Sequence, residues 1–157
     1  MNEQIRKNVF ETNSSSSHSL TVSQGDLVAP HFGSYILRGG QYLVEKGEFG
    51  WEYEHYTDVY SKLSYLFTQI AGDEDIPRGD AEEITAEMRK TNPRFDQLCR
   101  VVEDFTGVKL LATPGSSGYI DHQSSDVGLE LFGGDDTQLR QFLFCPNSYV
   151  ETDNDNH

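Results

Sequence analysis

Apolar residues recur with helical spacing through the middle of the chain and in short, strand-like runs on either side. After Thr57, a candidate N-cap, Val59, Leu63, Leu66, Phe67 and Ile70 fall on one helical face, and Gly72 closes it. Asp80 with Glu83 has the form of a capping box for a short helix reaching Lys90. Asn92 and Pro93 open a third helix that carries Phe95, Leu98, Val102 and Phe105 and stops at Gly107. Residues 20–22 and 34–37 are strand candidates, and Gly39-Gly40 predicts a hairpin from the second into 41–44. Residues 108–112, 119–120, 127–132 and 149–150 read as further short β segments, and Asp135, Asp136 and Thr137 cap a short helix through Phe144. The polar tail, 152–157, is expected to fray. Strands at both ends around a run of helices predict an α+β fold: a single compact domain over 1–157, with β-rich N- and C-terminal parts around a central helical segment.

Composition sharpens this picture. A chain of 157 residues with nine Phe, eight Tyr and one Trp has the apolar material for one real core. Its 26 acids outweigh 12 bases for a formal charge of −14. That balance excludes a general nucleic-acid footprint, which needs clustered Lys and Arg. It suits solubility or a basic protein partner. The two cysteines, Cys99 and Cys145, lie in or beside apolar runs and read as buried free thiols; they are too few for a structural zinc set. The opening MNEQIRKNVF has no apolar signal region and no run approaches membrane-spanning length, so a cytoplasmic location without membrane association is expected.

Candidate chemistry concentrates in three polar clusters. The first is FETNSSSSHSL, where Thr12, Asn13, Ser14, Ser15, Ser16 and Ser17 lead to His18 between apolar brackets. Packed brackets predict an ordered serine-lined loop, because packed polar groups must find partners. The second cluster runs from Asp121 and His122 through Ser124 to Asp126, and the third holds Asn147 and Ser148. His18 and His122 are the acid–base candidates, since imidazole titrates near neutrality, and Asp121 is the candidate orienting acid. Thr12 to Ser17, Ser124, Asn147 and Ser148 are the candidate ligand-binding set. His18, His122, Asp121 and Asp126 are suitable metal-ligand types without diagnostic spacing, so no metal is assigned, and no cofactor is indicated. Neither a nucleophile elbow nor a phosphate loop is present. Structural roles weigh evenly against chemical ones for His18 and His122. His31 and His55 stand without companions and are assigned as structural. The acids of 73–83 read first as a solvated face, and Trp51 with its neighbouring tyrosines as core or interface.

Arg6 with the string FETNSSSSHSL resembles the opening of small proteins found widely in tailed-phage genomes. GEFGWEYEHY, YIDHQS and FLFCPNSYVETDNDN extend the resemblance to roughly a third of the chain. It implies a phage origin and marks segments, and it supplies no catalytic residue. Two functional expectations follow. In the first, a Ser/His/Asp-lined pocket binds or hydrolyses a phosphorylated or nucleotide-like small polar ligand. In the second, a non-enzymatic acidic inhibitor binds a basic host protein, with carboxylates that mimic nucleic-acid charge.

Overall fold

The computed structural model describes residues 2–8, 16–30, 40–50, 53–120 and 127–154. In chain order the elements are β1 (Asn2–Asn8), β2 (Ser16–Ser23), β3 (Gln41–Val44), β4 (Glu54–Tyr56), α1 (Val59–Ala71), α2 (Ala81–Thr91), α3 (Pro93–Thr106), β5 (Lys109–Ala112), a 3-10 turn (Val127–Leu131), α4 (Thr137–Phe144) and β6 (Tyr149–Asn154). The fold is α+β, as the pattern predicts.

Local chemistry sets the helix boundaries. The N-cap of α1 is Asp58, one residue beyond Thr57: its carboxylate accepts the Ser61 amide at 2.8 Å. Asp80 caps α2 by accepting the Glu83 amide at 3.0 Å. Asn92 serves two helices at once. Its side-chain oxygen accepts the Phe95 amide at the start of α3, and its side-chain nitrogen donates to the Ile70 carbonyl at the end of α1. Gly107 closes α3 at φ 75, a left-handed position that a residue with a Cβ adopts only at a cost.

Four strands form an antiparallel sheet in the order β1-β2-β6-β4. Leu20 and Val22 of β2 and Val150 of β6 carry its core face, all within 1 % of full burial. They join Leu63, Tyr65, Leu66 and Phe67 of α1, Phe95, Leu98 and Val102 of α3, and Leu139, Phe142 and Leu143 of α4 in one apolar cluster.

Two expectations need correction. Thr152, Asp153 and Asn154 do not fray; they lie in β6, paired with His18, Ser17 and Ser16. Polar side chains do not prevent pairing when the backbone ladder satisfies the amides. Residues 127–132 hold a 3-10 turn instead of a strand. Gly128 fits so closely against Leu66 and Gln69 of α1 that a Cβ would collide with both. The strand β3 pairs in parallel with β5, in register Gln41 with Lys109 through Val44 with Ala112. A parallel pair needs a long crossover, and β4 with three helices provides it. Residues 34–37, the expected hairpin partner, lie outside the described residues.

Candidate functional site

Along β2, residues 18–23 are all buried, on both faces of the sheet. His18 is fully buried, and its Nδ1 lies 2.8 Å from the Tyr65 hydroxyl of α1. Five residues on, the Ser23 amide donates to the Ser148 hydroxyl at 2.8 Å, and that hydroxyl donates to the Gln141 carbonyl at 2.8 Å. The Lys62 ammonium, on a residue 1 % exposed, donates to the Ser148 carbonyl at 3.0 Å and lies 5.6 Å from the Phe142 ring centre. Burial lowers its pKa from 10.5 to about 8, with Cys145 and Asp58 partly opposing the shift. Burial also pushes the Cys145 thiol up. Hydrogen bonds involving the Asn147 backbone, the Ser23 side chain, the Gly25 backbone and the Ser148 side chain outweigh that effect, so its pKa falls below the ordinary 9.0. The result is an enclosed polar seam that ties β2 and the segment before β6 to α1 and α4.

This seam accounts for two of the sequence-derived candidates. His18 and Ser148 are both interior, hydrogen-bonded side chains. Asn147 is exposed in the turn before β6. Ser16 and Ser17 are not loop residues; Ser16 pairs with Asn154 of β6, and Ser17 pairs with Asn8 of β1 and Asp153 of β6. Thr12, Asn13, Ser14, Ser15, Asp121, His122 and Ser124 lie outside the described residues, as does Trp51. The convergence of His18 with His122 therefore lies outside them too.

On the opposite face of the sheet the structure assembles a cluster from residues that sequence spacing keeps apart. Side chains alternate between faces along a strand, so Tyr149 and Glu151 of β6 share the face away from Val150. In register, His55 of β4 stands beside Glu151, and Glu151 beside Ser19. The Tyr53 hydroxyl donates to Glu151 Oε2 at 2.9 Å, and His55 Nδ1 lies 3.6 Å from the same oxygen. The His55 and Tyr149 rings stack at 4.3 Å with 23° between planes. His55, expected to be structural for want of companions, thus has three. The only sequence signal was the i, i+2 pairing of Tyr53 with His55 and of Tyr149 with Glu151.

The acidic segment forms a third surface. Asp73, Glu74, Asp75, Asp80, Glu82, Glu83 and Glu87 are all exposed, with Arg78 the base among them. Beneath them Lys46 is buried, and its ammonium donates to the Gly72 and Glu74 carbonyls at 2.6 and 2.8 Å. Burial lowers its pKa, while Asp75 and Asp73 raise it. The next base along the chain, Arg89, is engaged by Asp96 and Glu103 and offers little compensation.

No known protein family, curated protein or solved structure matches the chain. Among the described residues no three His, Cys, Asp or Glu side chains gather as a metal site, and no helix is long and apolar enough to cross a membrane.

Proposed function

We propose that this is a phage-type, cytoplasmic acidic protein that binds a basic host protein through the exposed carboxylates between Asp73 and Glu87, without catalysis. The observation that carries the reading is the contrast between these surfaces. Seven carboxylates stand in solvent along one continuous segment, whereas His18, the described half of the expected acid–base pair, is fully buried against Tyr65. Acid–base catalysis needs a titrating group within hydrogen-bond reach of a substrate, and a sealed imidazole does not supply that. An exposed, predominantly acidic surface steers an oppositely charged partner and fixes its orientation. The resemblance to tailed-phage proteins supports a bacterial protein as that partner.

The test is co-purification from bacterial cells producing the tagged chain, with two variants beside the wild type. The acidic variant carries Asp73→Lys, Glu74→Lys, Asp75→Lys, Glu82→Lys and Glu83→Lys; the other carries His18→Gln. Thermal melts establish that both fold. The expected result is a basic protein held by the wild type and by His18→Gln and lost from the acidic variant. Retention by the acidic variant, or equal loss from both, overturns the reading.

A further inference from the structure

We propose that Glu151, Tyr53, His55 and Tyr149 form a receptor for one guanidinium group, an arginine side chain of the basic partner. The inference rests on the partner-binding reading above and gives it an anchoring point separate from the acidic segment.

The geometry begins with the carboxylate. Among the described residues, the Tyr53 hydroxyl at 2.9 Å and His55 Nδ1 at 3.6 Å both approach Oε2. Among the described residues, Oε1 is left to a further donor. On the same face of β6, two residues along, the Tyr149 ring stacks on His55 at 4.3 Å, which adds an aromatic pair to the cluster. The cluster is open to solvent: Tyr53 is 58 % exposed, and the side chains of His55 and Glu151 are 39 % and 32 % exposed.

The class of ligand follows from this pairing of a carboxylate with aromatic rings. A guanidinium is a planar fork of donors that matches a carboxylate, is weakly hydrated, and stacks on aromatic faces. An ammonium is a strongly hydrated point charge and uses only the carboxylate. An anion is repelled by Glu151 and by the chain's charge of −14, which draws cations to the surface. Tyr53 and the neighbouring strand hold the carboxylate before a ligand arrives, so little side-chain freedom is lost on binding.

The experiment is an amide NMR titration of the full chain with N-acetyl-arginine amide and with its citrulline counterpart, which has the same shape without the charge. The expected result is saturable shifts confined to residues 53–56 and 149–152 with arginine, and none with citrulline. Glu151→Gln, which still accepts the Tyr53 hydroxyl but lacks the charge, binds at least about ten-fold more weakly, the loss of a charge-assisted contact. Tyr149→Leu also weakens binding, through the lost aromatic face; dispersed spectra verify that both variants fold. An equal response to citrulline, unchanged affinity in Glu151→Gln, or no saturable response up to about 0.1 M arginine amide, some hundredfold above a millimolar Kd, overturns the receptor. Shifts only along the acidic segment overturn the receptor and leave the partner-binding reading standing. Arginine binding at Glu151 with no basic protein co-purifying does the reverse.

Discussion

The Ser148 hydroxyl makes two hydrogen bonds whose partners lie on other elements, the Ser23 amide of β2 and the Gln141 carbonyl of α4. In the sequence Ser148 is one polar residue beside Asn147, near a polar tail, and reads as a ligand contact. Nothing within several residues of it announces Ser23, which lies 125 positions away. The Gln141 carbonyl also accepts the Cys145 amide, so it keeps a partner without Ser148. The Ser23 amide depends on the hydroxyl. Ser148→Ala therefore leaves a buried donor unmet and is expected to cost about 1–3 kcal/mol in urea unfolding. A loss below about 0.5 kcal/mol, less than the usual net value of one hydrogen bond, would show that the seam is not structural. His55 was illegible for the same reason, because Tyr53 and Glu151 are 98 positions apart in the chain and meet only across strands.

Among the elements, α1, α2 and α3 were legible because their signals are local. Each carries a cap within three residues of its start, and α1 and α3 carry an apolar stripe at helical spacing. The stripe of α1 faces the core as expected, with Leu63, Leu66 and Phe67 fully buried and Ile70 8 % exposed. Leu66 belongs to the main core cluster and also abuts Gly128 of the 3-10 turn. Leu66→Ala is expected to lower stability by about 2–5 kcal/mol in thermal or urea melts, and a loss below about 1 kcal/mol would contradict its place in the core. The β pairings were less legible. Gly39-Gly40 before 41–44 carries a hairpin signal, but the described partner of β3 is β5, reached across three helices. Register across such a distance depends on tertiary packing, which no short window of sequence contains.

For the whole molecule, segregated strand and helix patterns made the α+β class readable, and composition made the charge readable. The buried cations were not foreseen. Lys62 follows from no sequence rule, since lysine is almost never fully buried. Its folded pKa of about 8 lies below the ordinary 10.5. Between those values the unfolded chain binds more protons than the folded one, so stability rises with pH through that window. The gain attributable to Lys62 approaches about 3 kcal/mol by the upper end. Cys145, lowered from its ordinary 9.0, contributes with the same sign; Cys99, raised by burial to about 12, opposes it above pH 9.0. Lys62→Met removes the first contribution. The stability of the wild type minus that of Lys62→Met is therefore expected to rise between pH 7 and pH 10, most of that amount by urea unfolding. A pH-independent difference would contradict a buried Lys62 whose pKa is lowered in the seam.

The central claim, that the exposed carboxylates make this a partner-binding protein, turns on how affinity responds to salt. The measurement is the Kd of the co-purified basic partner, taken by calorimetry as ionic strength rises from about 0.05 M to about 0.5 M, where screening shortens to a few ångströms. The account predicts that wild-type affinity falls steeply over this range. It also predicts that the variant reversed at Asp73, Glu74, Asp75, Glu82 and Glu83 binds more weakly at low salt and loses most of the dependence. A wild-type Kd that does not change with salt, or a reversed variant that binds as tightly as the wild type, would contradict it.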